Sequence, residues 1–179
     1  VDAVHEKSHA SGKIDFSAKI NMHAFQMRFV GASVQDITKK NESSFYSNYY
    51  IGNNESKWAT GVKNFAEVTY EQLYPGINMV LREDNGSLKY DYIVQVGANP
   101  ADIELELIGL KNCEVINGRL SLQTSVGELL ESIPVCYQVI DEKKVEVPCE
   151  YRLAKDKQHI RFVFPKGYNK GYDLIIDPV

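Results

Sequence analysis

The sequence has little of what marks most specialised chains. Its three cysteines in 179 residues are too few for a disulfide scaffold and show no CxxC spacing, which removes the common structural zinc sites. No apolar run comes near the roughly 20 residues that a membrane-spanning helix needs. Lysine and arginine number 20 against 24 acidic residues, a net charge of −4. The basic residues form no cluster larger than isolated pairs such as Lys39-Lys40 and Lys143-Lys144, so neither nucleic acid nor an anionic membrane is the expected partner. No solenoid or propeller period recurs, and no long amphipathic helix can be drawn. What remains, at 44% hydrophobic and 25% charged, is an ordinary globular composition, expected as one β-rich domain over residues 1–179. The chain opens at Val1, and a removed signal peptide or a larger precursor is expected.

The informative stretch runs from Ser47 to Val96, with the only tryptophan and six of the eleven tyrosines. Leu88, Tyr90, Tyr92, Val94 and Val96 alternate with Lys89, Asp91, Ile93 and Gln95, which puts one apolar face of a strand on a core. The partner run is Ile77–Arg82. Between them Asn85-Gly86 is a favoured two-residue hairpin turn because both residues tolerate positive φ. Pro75-Gly76 turns the chain into the first of these strands.

Shorter runs of the same kind fill the rest. Lys13–Ile20, Ala24–Val30, Phe45–Ile51 and Asn64–Tyr70 read as strands. So do Ile103–Leu107 and Cys113–Ile116 with Arg119–Thr124, the last two flanking Asn117-Gly118. Glu128–Ser132, Ile133–Ile140, an unbroken alternation over Val145–Leu153, Ile160–Phe164 and Tyr172–Ile176 complete the set. Val1–Ser11 is expected to fray or make a helical turn, Gly31–Ser44 to form a polar loop, and Glu71–Tyr74 to make a short helical turn. About a dozen short strands with frequent turn signals predict an all-β fold, an antiparallel β-sandwich or a large curled two-sheet assembly.

Several residues invite chemistry. If Ile133–Ile140 pairs with Lys144–Leu153 across a Glu142-Lys143 turn, Cys136 falls opposite Cys149 at a separation compatible with a disulfide. The alternative is two small buried thiols, and a Cys136–Cys149 bridge would leave Cys113 free. His5-Glu6-Lys7-Ser8-His9 spells H-E-x-x-H, the pattern that presents two zinc-binding histidines and a general base on a helix. Its context (Lys7, Ser8, Ala10, Ser11, Gly12) is wrong for a buried helix. Only His23 and His159 remain as further histidines, so a solvated terminal segment is the better reading. Trp58, beside a polar turn, is expected to close the end of a core; stacking on a sugar with Tyr46, Tyr49 and Tyr50 is the alternative. Glu104 and Glu106, two apart on a strand, read as the wet side of a sheet. Asp91 is expected to fix strand register by hydrogen bonding rather than to act in catalysis. Three tripeptides, at Asn41, Asn54 and Asn85, fit the N-glycosylation pattern.

From about Phe25 onward the chain resembles a bacterial domain found near the N-terminus of large secreted proteins. That domain often stands ahead of SBBP repeats, PKD or other Ig-like modules, or a type IX secretion sorting domain. The resemblance rests on Arg28–Ala32, Ser47–Asn53, Ser56–Trp58, Leu73–Ile77, Leu88–Tyr92, Val96–Pro100, Ile133–Gln138 and Leu174–Val179. It implies an extracellular structural or adhesive module and supplies no catalytic residues. It also implies further strands ahead of the point where this chain starts, and it does not include Cys136 or Cys149.

The expected function is therefore a non-enzymatic, extracellular or cell-surface module of a larger secreted protein, without a cofactor. Its expected partners are other domains of the same polypeptide, or a surface protein or polysaccharide. Carbohydrate binding through Trp58, Tyr46, Tyr49 and Tyr50 is the alternative, and a hydrolase is third.

Overall fold

Period-two alternation builds nearly everything in the structure, a computed structural model that describes residues 19–84 and 86–178. Among the described residues there are fourteen strands. In chain order they are β1 (Gln26–Phe29), β2 (Asp36–Tyr49), β3 (Ala59–Tyr74), β4 (Ile77–Asp84), β5 (Ser87–Val94), β6 (Glu104–Ile108) and β7 (Asn112–Ile116). There follow β8 (Arg119–Gln123), β9 (Glu128–Glu131), β10 (Val135–Ile140), β11 (Lys143–Val147), β12 (Glu150–Leu153), β13 (His159–Val163) and β14 (Leu174–Asp177). They form three antiparallel sheets, ordered β11-β10-β14-β5-β4-β3-β2, β1-β6-β13-β12 and β7-β8-β9. The expected all-β class holds. The H-E-x-x-H segment and most of the Lys13–Ile20 strand lie outside the described residues.

The two larger sheets share one core because each turns its apolar side chains to the other. Ile77, Met79, Tyr92, Val94, Leu174 and Ile176 meet Leu105, Leu107, Tyr151, Ile160 and Phe162. Tyr92 links the layers: its ring centroid lies 6.5 Å from that of Phe29 and 5.8 Å from that of Phe162. The small sheet adds Cys113, Leu120 and Leu122 to the same core. From β9 the Glu131 carboxylate reaches β12, accepting from the Tyr151 hydroxyl at 3.3 Å. Burial holds that carboxyl above its usual range. On the opposite face of β6, Glu104 pairs with Arg161 at 2.9 Å and Glu106 with Arg28, a charged, ion-paired side on which both glutamates are only partly exposed.

Both Asn-Gly hairpins form. Asp84 stands opposite Ser87, with Gly86 at φ 81°. Ile116 stands opposite Arg119, with Asn117 and Gly118 both in the left-handed region. Asp91 pairs across β4–β5 with Arg82. Only 7% of Asp91 is exposed, so Arg82→Ala would strand a nearly buried carboxylate. A loss of about 2 kcal/mol is expected, read as a lowered urea midpoint. A change under about 0.5 kcal/mol would mean that the pair is no more than a surface contact.

Four expectations fail here, each for an identifiable reason. The polar segment Gly31–Ser44 is not a loop from end to end: from Asp36 it is the first part of β2. Its charges are cross-strand partners, Lys40 with Glu67 at 2.8 Å and Glu42 with Lys63 at 2.6 Å. Glu71–Tyr74 is no helical turn. It is the end of β3, where the register with β4 shifts between Tyr70 and Tyr74 around Gln72 at φ 51°. The alternation over Val145–Leu153 is broken at Pro148-Cys149, where the chain leaves the seven-stranded sheet and enters the four-stranded one. The pattern runs through the break because both sheets face the same core. Finally, the β10–β11 turn is Asp141-Glu142, both left-handed at φ 50° and 62°. This places Ile140 opposite Lys143 and Cys136 opposite Val147, not Cys149.

Candidate functional site

β3 is twice the length of its neighbour β4, and the excess determines the most exposed feature of the fold. β4 pairs with β3 only from Glu67 onward. Among the described residues, the first half of β3, Ala59 to Ala66, has β2 alone beside it. Eight residues of strand rise about 25 Å, so β2 and β3 leave the sheet as a two-stranded ribbon of that length. Neither face of the ribbon has a covering layer among the described residues. This is why its residues follow no in–out alternation and why Asn41–Ser44 reads as loop. Lys39 lies 5.6 Å from the Phe65 ring centroid, and Asn48 accepts from the Gly61 N–H at 2.8 Å, so the ribbon is tied together by polar and cation–π contacts.

The far end of the ribbon is apolar and exposed. Phe45 is 78% and Tyr46 65% exposed, and Tyr49, Tyr50 and Ile51 join them. The connecting turn is built firmly. Asn54 caps a 3₁₀ turn over Glu55–Lys57 by accepting from the Ser56 N–H at 3.1 Å. Trp58 follows it, donating from Nε1 to the Gly52 carbonyl at 3.1 Å. Its ring meets Tyr50 edge-on, with centroids 5.3 Å apart at 87°. Trp58 is 37% exposed and stands outside the buried cluster, so it does not close the end of the core. That expectation is overturned because the ribbon carries Trp58 away from both sheets. Of the four aromatic candidates the structure joins two, Tyr50 and Trp58. Tyr46 and Tyr49 stand on β2, opposite Lys63 and Ala59.

A second surface escaped the sequence. Among the described residues β1 pairs only with β6. Along its other edge runs a cleft of about 740 Å³, walled by Met27, Phe29, Tyr70, Leu73, Met79 and Leu81. It exists because the four-stranded sheet stops short of covering β3. The alternation of Met27 with Phe29 marks an apolar face, but which strand lies at a sheet's edge is a property of topology.

His23 and His159 are engaged in structural contacts. His23 bridges two elements, with Nε2 2.9 Å from the Gly109 carbonyl and Nδ1 accepting from the Ser125 N–H at 3.2 Å. His159 Nδ1 lies 2.7 Å from Asp156 Oδ2. Among the described residues no three His, Cys, Asp or Glu side chains are placed to hold a metal. No helix among them is long and apolar enough to cross a membrane. Asp177, the last residue of β14, stands opposite Val135. Cys136 and Cys149 are both buried and unbridged.

The model of a family described as a domain of unknown function, DUF7948, matches residues 1–179. The chain belongs to this family. No curated protein and no solved structure matches it. The DUF7948 match spans the ribbon, the cleft and the core alike, so the exposed aromatic end belongs to the matched region.

Proposed function

We propose that this DUF7948 chain is a non-enzymatic module of a larger secreted or cell-surface protein, and that it makes structural or adhesive contacts through the ribbon. The observation that carries the reading is the exposed aromatic surface of the ribbon: β2 leaves Phe45 and Tyr46 open to solvent, and Tyr50, Ile51 and Trp58 flank the firmly built turn beyond it. Apolar surface clustered this way costs solubility and commonly marks a contact site. Aromatic side chains on a braced turn also lose little entropy on binding. The apolar cleft beside β1 supports a multidomain setting, since an edge that has no partner among the described residues and lies over apolar side chains is suited to receive a strand. The wider setting, a bacterial exported protein with SBBP repeats, PKD modules or a type IX sorting domain, rests on the resemblance of the motifs.

Carbohydrate binding is the second reading, favoured by the Tyr50–Trp58 ring pair whose orientation the Gly52 hydrogen bond fixes. One experiment addresses both. The chain, a Trp58→Ala variant and a Phe45→Ser/Tyr46→Ser variant would be screened on immobilised polysaccharides and surface proteins, with circular dichroism as the folding check. The ribbon is outside the core, so both variants are expected to unfold within about 2 °C of the parent while losing at least tenfold in retention. Retention on glycans lost in Trp58→Ala alone would favour the carbohydrate reading. Binding unaffected by either variant would remove the ribbon from the function.

A further inference from the structure

Two hollows meet where the loop from β13 to β14 faces the turn after β5. The larger, of about 490 Å³, is lined by Phe164, Tyr168, Pro100 and Pro165, with Arg152 and Lys170 among them. The smaller, of about 200 Å³, extends to Val96 and Tyr172. Asn99, Tyr168 and Lys170 line both, so the two make one groove. The larger part alone is within the roughly 300–1,000 Å³ of small-molecule sites. One wall is held from inside the protein by Gln138, which is 2% exposed. Its Nε2 donates to the Asn169 carbonyl at 2.7 Å and the Tyr172 carbonyl at 3.0 Å, and its Oε1 accepts from the Asn169 N–H at 2.9 Å. The loop that carries Tyr168 and Lys170 is thereby set in shape before any ligand arrives. Phe164 braces the Tyr168 ring edge-on, with centroids 5.5 Å apart.

The charge of the groove is the reverse of the chain's. The protein carries 20 basic against 24 acidic residues, but Arg152 and Lys170 line the groove and no carboxylate does. On the outer face of the four-stranded sheet Arg28 is matched by Glu106 and Arg161 by Glu104. Arg152, directly opposite Arg161, has no ion-pair partner among the described residues, and neither has Lys170. Of the carboxylates near by, Asp102 accepts from the Asn99 side chain at 3.1 Å and Asp173 from the Val96 N–H at 2.9 Å. Glu150, two residues from Arg152 on β12, lines neither hollow. We propose that this groove binds a uronate-containing oligosaccharide, with Arg152 and Lys170 on its carboxylates and the Tyr168 ring against a sugar face. A guanidinium matches a carboxylate with two parallel hydrogen bonds, and a tyrosine offers an apolar ring with a polar tip. An acidic peptide fits less well. Main-chain pairing needs free N–H groups along a wall, and here Ala98, Gly167 and Asn169 donate theirs to Gln95, Phe164 and Gln138. The groove shares no residue with the ribbon, so the proposal stands or falls apart from the reading of Trp58.

The test is isothermal titration calorimetry of the chain with tetrasaccharides cut from polygalacturonate, alginate and hyaluronan, and with the methyl esters of the same sugars. Binding of at least one acidic tetrasaccharide is expected. Esterification, which removes the charge and keeps the ring, is expected to weaken it by roughly tenfold or more. Arg152→Gln and Lys170→Gln are each expected to lose roughly tenfold in affinity, while Trp58→Ala binds as the parent does. Both charged positions are exposed, so circular dichroism is expected to show the parent fold. Should Arg152→Gln not fold, Lys170→Gln decides. No binding of any acidic tetrasaccharide up to about 1 mM would overturn the proposal, as would equal affinity for the esters. Binding lost in Trp58→Ala and kept in both glutamine variants would move the sugar to the ribbon and overturn the groove. Hexaglutamate bound as tightly as the best uronate would replace the sugar with an acidic peptide.

Discussion

Tyr92→Ala is expected to cost about 4 kcal/mol, while Tyr92→Phe is expected to be neutral or slightly stabilising. Tyr92 has no exposed surface, and its ring packs on Phe29 and Phe162 of the facing sheet and edge-on to Tyr90 beside it, at 5.8 Å. Truncation would open a cavity between the layers, and rigid strands on both sides prevent its collapse. With total stabilities commonly about 5–15 kcal/mol, that loss is a large fraction of the whole. The hydroxyl behaves differently. It is buried without a hydrogen-bond partner among the described residues, and burial pushes its pKa well above the ordinary tyrosine value. Removing it relieves a desolvated polar atom and breaks no bond. Urea unfolding would be followed by far-UV circular dichroism, because Trp58 sits on the ribbon, away from the core transition. A loss below about 1.5 kcal/mol for the alanine variant would mean that the layers do not meet on Tyr92. A comparable loss for the phenylalanine variant would mean that the hydroxyl has a buried partner.

The core was legible because alternation reports burial wherever one face of a strand is wet and the other dry. Leu105 and Leu107 against Glu104 and Glu106, or Ile160 and Phe162 against Arg161, define their inner faces without reference to neighbours. The ribbon was not legible for the same reason. With no covering layer among the described residues, Asn41–Ser44 has no dry face to declare itself, and polar composition resembled a loop. Trp58 was misplaced because its type favours burial while its position on a long hairpin does not. The β10–β11 register was out by two residues because the actual turn, Asp141-Glu142, contains neither Gly nor Asn to mark it. An even shift preserves side-chain parity, so Cys136, Gln138 and Val147 keep their inward faces and the error leaves no trace in the pattern. The cleft beside β1 depends on sheet order, which alternation does not encode.

Gly76→Ala is expected to cost about 3 kcal/mol and Gly86→Ala only about 1 kcal/mol, although both glycines sit in two-residue hairpin turns with left-handed φ. Gly76, at φ 72°, follows Pro75 between β3 and β4, with Tyr74 opposite Ile77. Proline then glycine suits a type II turn, whose twist matches regular strands poorly. The register shift around Gln72 accommodates it, with the Gln72 Oε1 accepting from the Gly76 N–H at 2.8 Å. The Gly76 carbonyl in turn accepts from the Gln95 N–H at 2.9 Å, which seats the turn against the end of β5. A Cβ at Gly76 would stand 2.8 Å from the Ala98 Cβ, an atom that cannot rotate away, so the loop from Val96 to Asn99 would have to move. Gly86, at φ 81°, has no atom within 4 Å of the corresponding position and bears only the backbone strain. Equal losses at the two sites, measured from urea midpoints, would mean that the contact with Ala98 carries no weight. The expected difference of about 2 kcal/mol isolates the packing of the β3–β4 turn on that loop from the conformational demand that both turns share.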